Sequence, residues 1–98
     1  MIAFIYKIIC NTESFSRDML DNFNDEVQKK SRRWQNKDPI FISKFIPVEK
    51  SNDTVTLSAN ILYNDEETGK KRLKEIEKLF SKYADGDWNT KDVSTDQA

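Results

Sequence analysis

The sequence predicts a small α+β domain whose elements run strand–helix–strand–strand–helix. Three observations carry this. Residues 1–10 are dense in Ile, Phe and Tyr, the composition of a strand. Between Thr12 and Asn36, and again after Asn64, apolar residues return every three or four positions, the period of a helix. Between Thr54 and Tyr63 they show the clearest alternation in the chain, the period of a strand covered on one face.

The first strand, Met1–Cys10, ends at Asn11-Thr12. One face carries Ile2, Phe4, Tyr6 and Ile8, the other Ala3, Ile5, Lys7 and Ile9, so both faces are mostly apolar, as in a strand covered on two sides. The first helix carries the stripe Phe15, Met19, Leu20, Phe23, Val27 and Trp34. Ser16 is its expected N-cap, with Phe15 and Leu20 at the positions that clamp the entering chain. Lys29, Lys30, Arg32 and Arg33 favour the negative end of its dipole, and Pro39 ends it.

Ile40–Val48 reads as one strand with Ile40, Ile42, Ile46 and Val48 on one side and Phe41, Ser43 and Phe45 on the other. Pro47 marks it as an edge, because proline cannot donate to a neighbour. The polar stretch Glu49–Asp53 is a hairpin loop leading to Thr54–Tyr63, whose Val55, Leu57, Ala59, Ile61 and Tyr63 face inward. Asp65 is the expected cap of the second helix, whose stripe is Leu73, Ile76, Leu79, Phe80 and Tyr83, with Gly86 as its stop. Trp88–Val93 is poor in strand formers, so residues 89–98 read as a flexible tail to a single domain over residues 1–88. Connection rules then give a three-stranded mixed sheet of order 1-3-2 with both helices on one face, half of a ferredoxin-like fold.

Composition bounds the function. Sixteen basic and 17 acidic residues leave a formal net charge of −1, which argues against a strongly electrostatic partner such as duplex DNA. One cysteine, Cys10, permits no intrachain disulfide, and a small chain without staples reads as cytoplasmic. The apolar run Met1–Tyr6 is too short to span a bilayer and lacks the flanks of a signal peptide, so no membrane partner is expected. There is no histidine, the commonest general base and metal ligand.

Catalytic and metal-binding patterns are weak throughout. Cys10 has no histidine to activate it and reads as a small buried side chain. Asp18, Asp21 and Asp25 share a helix face but are not gathered by a turning loop, and Asp65-Glu66-Glu67 lacks calcium-loop spacing. Gly69 with Lys70-Lys71 is not a phosphate loop. No enzyme activity, metal or cofactor is expected.

Two binding patterns remain. Lys29, Lys30, Arg32, Arg33 and Lys37 form a basic patch around Trp34, suited to phosphates and a stacked base, to an acidic protein, or simply to a helix end whose Trp34 folds onto the core. The second is apolar excess: two helices cannot cover both faces of the first two strands. Phe4, Tyr6, Phe41 and Phe45, or their alternating neighbours, are therefore expected to look outward and mark an interface. The unpaired edge of the first strand adds a route by strand addition. Phe4 and Tyr6 also invite comparison with the RNA-recognition fold, but Thr54–Tyr63 lacks that family's glycine-aromatic signature.

The element order and the stretch Leu57-Ser58-Ala59-Asn60-Ile61-Leu62-Tyr63 resemble small strand–helix–strand–strand proteins of sporulating Gram-positive bacteria and their phages, over residues 1–63. The resemblance implies an accessory protein. The expected function is thus non-enzymatic regulation or inhibition of a host system through protein–protein contact, as a homodimer or on a protein target. A nucleic-acid-binding module using residues 29–37 is the first alternative, and an oligomer with a ligand pocket between protomers the second.

Overall fold

The computed structural model describes residues 3–84 and the backbone of residues 2 and 88–94. In chain order the elements are β1 (Ile2–Asn11), a 3-10 turn (Thr12–Ser14), α1 (Arg17–Trp34), β2 (Ile40–Ile42), β3 (Ile46–Lys50), β4 (Thr54–Tyr63), α2 (Glu66–Tyr83) and β5 (Trp88–Ser94).

Both helices start where hydrogen-bonding chemistry dictates. Ser16 Oγ accepts from the Met19 N–H at 3.0 Å. Asp65 Oδ2 accepts from the Thr68 N–H at 3.1 Å and from the Thr68 hydroxyl at 2.7 Å, and these bonds hold the Asp65 carboxyl below its ordinary pKa. α2 ends at Tyr83; the expected stop at Gly86 lies outside the described residues.

The sheet runs β2-β4-β1-β5, with β3 beside β2 on the same side of β4, and every described pairing is antiparallel. The expected three-stranded mixed sheet is therefore corrected. β1 and β2 do run the same way, as a helical crossover requires, but β4 lies between them, so no parallel pair forms. The expected tail is corrected too: residues 88–94 pair along β1, from Cys10↔Trp88 to Phe4↔Ser94. A poor strand former becomes a strand here because the second side of β1 offers a row of backbone donors and acceptors that need partners. β1 is thus the centre of the sheet rather than an edge. The topology is ferredoxin-like, with two helices on one face of an antiparallel sheet.

The core lies between that face and the helices. Phe4, Tyr6, Ile8 and Cys10 of β1 and Val55, Leu57, Ala59, Ile61 and Tyr63 of β4 are buried against Phe23, Val27, Ile76 and Phe80. Phe23 sits at its middle, its ring centroid 5.1 Å from that of Phe80 and 5.2 Å from that of Phe45. The close fit of α2 explains Gly69: a Cβ there would stand 2.7 Å from the Tyr63 ring.

The strand read as continuous over Ile40–Val48 is broken between Ile42 and Ile46. The cause is on α1. Asn24, buried in the apolar stripe, donates to the Phe45 carbonyl at 2.9 Å and accepts from the Phe45 N–H at 2.8 Å. Gln28, one turn later, donates to the Ile42 carbonyl at 3.0 Å. Across the break, Ser43 Oγ accepts from the Asn60 N–H at 2.8 Å, replacing a ladder carbonyl. With Phe45 held this way, Ile42 and Phe45 both turn inward although they stand three positions apart, an offset that puts two side chains on opposite faces of a regular strand. Ile46 and Val48, expected on the buried side with Ile40 and Ile42, are exposed instead.

Candidate functional site

The expected interface residues divide. Phe4, Tyr6 and Phe45 are core residues: Phe4 and Tyr6 share the helix-facing parity of β1, and Asn24 pulls Phe45 inward. The Tyr6 hydroxyl also donates to Glu77 of α2 at 3.1 Å. None of the three is available to a partner or to a stacked base. Phe41 is the one that faces out, at 47% exposure. Strand addition on β1 is closed as well, because β4 and β5 occupy both of its sides.

What faces out on β1 is the alternate set, Ala3, Ile5, Lys7 and Ile9, all half-buried. Register lines them up with neighbours across the open face. Phe41, Leu62 and Ala3 form one cross-strand row; Asn60 and Ile5 lie in the next; Ile46, Ser58 and Lys7 in the third; Glu49, Thr56 and Ile9 in the fourth. The row at the β2 end is wholly apolar, and Leu62 in it is 39% exposed. Ile46 at 56% and Val48 at 47% add apolar surface along β3.

The basic segment also divides. Lys29, Arg32, Arg33 and Lys37 are exposed, and none makes an ion pair among the described residues. Trp34 is buried under the Arg72 guanidinium, which lies 4.9 Å from its ring centroid. Arg72 is fixed there by Asp38 at 2.8 Å and Glu75 at 2.9 Å. Burial works against its charge, but the bonds to Asp38 and then Glu75 outweigh it and raise the Arg72 pKa. The patch keeps its charge and loses its aromatic.

The two surviving halves meet. A cleft of about 320 Å³ opens between the second half of α1 and the β2 end of the sheet. α1 contributes Gln28, Ser31, Arg32 and Gln35; β2 and β4 contribute Phe41, Ile42 and Leu62, with Ser43 and Asn60 at one end. The cleft thus has an apolar floor and a cationic, amide-bearing wall. Sequence reasoning named Phe41 and Arg32 in separate patterns; Leu62 and Gln28 it passed over. Leu62 sits on the outward parity of an otherwise polar row, Thr54, Thr56, Ser58 and Asn60, and that departure was the available signal.

Elsewhere, a polar depression of about 260 Å³ lies among Asn11, Thr12, Glu13, Asn52 and Asp53. Cys10 is buried, its thiol directed at the Val55 carbonyl 3.7 Å away, and burial pushes its pKa up, against the thiolate. No group of three metal-ligating side chains is gathered among the described residues, and no helix among them is long and apolar enough to cross a membrane.

No protein-family model and no curated protein matches the chain. Solved structures do. The de novo designed protein LFR1 1 with ferredoxin fold, determined by NMR in solution, is similar over 100% of this chain and 90% of its own, with a TM-score of 0.69 and 18% identity. The de novo designed protein Foldit4 is similar over 95% of this chain and 98% of its own, with a TM-score of 0.60 and 11% identity. At such identities the likeness concerns the fold alone, and it places this chain among ferredoxin-like α+β architectures.

Proposed function

We propose that this is a non-enzymatic binding protein that acts through protein–protein contact at the β2 end of its open sheet face. The observation that supports it most is the exposed apolar row of Phe41 and Leu62 beside the cleft, on a domain whose core is otherwise closed. Size and the resemblance noted in the sequence suit a small regulator or inhibitor of the kind phages carry. A nucleic-acid module is disfavoured, because Phe4, Tyr6 and Trp34 are all buried and base stacking needs an exposed ring. The test is selection of a displayed random peptide library on the immobilised protein, with Phe41→Glu as counter-selection. Enrichment of peptides that bind the wild type and not the variant is expected. Enrichment of none, or of peptides indifferent to Phe41, overturns the reading.

A second reading is a homodimer that stacks the open faces, favoured by Ala3, Ile5 and Ile9 at the middle of the sheet. Lys7 and Lys91 share one cross-strand row of this face and Glu49 lies in the next, so a two-fold axis between those rows would set basic against acidic positions on the other copy. Strands spaced about 4.8 Å apart give a face roughly 19 Å wide, enough to approach the area a stable pair buries. Light scattering at micromolar concentration decides it: a strict monomer removes this arrangement.

A further inference from the structure

The cleft beside Phe41 has an unusual pairing of features, an apolar floor and an uncompensated basic wall. Arg32 lines it, and Lys29 and Arg33 flank Arg32 on the same helix, each exposed and without an ion pair among the described residues. The carboxyl end of α1 contributes only about half a negative charge, which these cations exceed. At about 320 Å³ the cleft is at the small end for a binding pocket. That suits one large aliphatic or aromatic side chain. Strand addition is obstructed here. The Gln28 amide holds the Ile42 carbonyl at 3.0 Å, and Asn24 holds both backbone groups of Phe45. A partner must therefore enter by side chain and not by backbone pairing.

Resting on the contact reading above, we infer that the cleft takes an acidic peptide segment with a single large apolar anchor, the anchor seated on Phe41 and Leu62 and a neighbouring carboxylate on the Arg32 guanidinium. Nucleic acid fits less well, since Phe41 is the one ring in the cleft lining and a strand of bases needs successive stacking platforms.

The experiment is an NMR titration of the ¹⁵N-labelled protein with the blocked peptide acetyl-Glu-Asp-Leu-Asp-Glu-amide. Saturable shifts are expected at the amides of residues 28–35, 41–43 and 60–62, weakening as salt is added. Arg32→Glu should weaken binding at least tenfold, and Arg32→Gln should do so more mildly; both changes fall on one exposed side chain, and the variants' own spectra report their folding. A peptide with serine for leucine, or with lysines for the acids, should bind at least tenfold less. Absent or scattered shifts, or equal binding by Arg32→Glu, overturn the inference, as does a single-stranded oligonucleotide that shifts the same amides more tightly. Library selection that yields Phe41-dependent peptides without acidic residues would sink this inference while leaving the contact reading intact.

Discussion

The two faces of β1 are nearly alike in sequence and opposite in fate. Phe4, Tyr6, Ile8 and Cys10 are sealed under two helices, whereas Ala3, Ile5, Lys7 and Ile9 stay half-exposed. Hydropathy does not separate them, because Ile5 and Ile9 are as apolar as Ile8. Size and polar reach do. The larger rings sit on the side where Phe23, Phe45 and Phe80 complete an aromatic cluster, and where the Tyr6 hydroxyl reaches Glu77. A strand with two greasy faces is decided by volume: the helices settle on the face that offers the most area to bury.

The strongest way to break this comparison is in the covered half. Phe23 is fully buried between Phe45 and Phe80. Phe23→Ala should cost about 3–5 kcal/mol, from lost transfer energy plus the cavity it leaves. Denaturant unfolding measures it, and a loss below about 1 kcal/mol would mean that the cluster does not anchor the helix layer.

Asn24→Ala comes next. It orphans the N–H and the carbonyl of Phe45, and each unsatisfied buried group costs about 1–3 kcal/mol, so a loss of about 2–6 kcal/mol is expected. Hydrogen exchange sharpens the point: protection should fall at Phe45 and along β3 while the Phe23 region keeps its own.

These two residues also separate what the sequence discloses from what it conceals. Phe23 was legible because helical periodicity is local, and so were the caps Ser16 and Asp65, each acting within three residues of itself. Asn24 was not, because its partner lies 21 residues away, and a polar residue beside the stripe looks like ordinary solvated surface. Missing it assigned Phe45 to the wrong side and made one strand of two. β5 was concealed for a different reason: its pairing is imposed by the vacant side of β1 rather than by its own composition. The site was half legible. Phe41 and the cations were visible, but their meeting in one cleft depends on the break that Asn24 holds.

The outer side of the helix layer should respond far less than the covered face. Glu26 on α1 accepts from the Tyr83 hydroxyl and pairs with Lys82 Nζ at 3.1 Å, both on α2. Tyr83 first, then Lys82, lowers the Glu26 pKa. A depressed carboxylate stabilises the fold above its unfolded pKa of about 4.3, and that contribution is lost as pH falls through the lower folded value. Glu26→Gln should therefore cause a small loss at neutral pH that disappears as the solution is acidified below about pH 4. Because the pair is solvent-exposed, the loss should also shrink in high salt. Parallel thermal melts of the two proteins across pH check it; a difference that grows in acid contradicts the assignment.

The smallest stability effect belongs to the open face. Phe41 is nearly half exposed, so its ring gains little from folding, and Phe41→Ser should change stability by no more than about 0.5–1 kcal/mol. The chemical change is as drastic as Phe23→Ala, an aromatic ring removed in each case, and the residues differ chiefly in burial. A near-zero value beside a loss of several kcal/mol would show that the two faces of one sheet serve different ends, one holding the fold and the other presenting surface. Exposed aromatic area that contributes so little to stability is a liability for aggregation unless something covers it. Denaturant unfolding of both variants in one series measures the contrast directly. A Phe41→Ser loss comparable to that of Phe23→Ala would mean that Phe41 is structural and that the cleft floor belongs to the core.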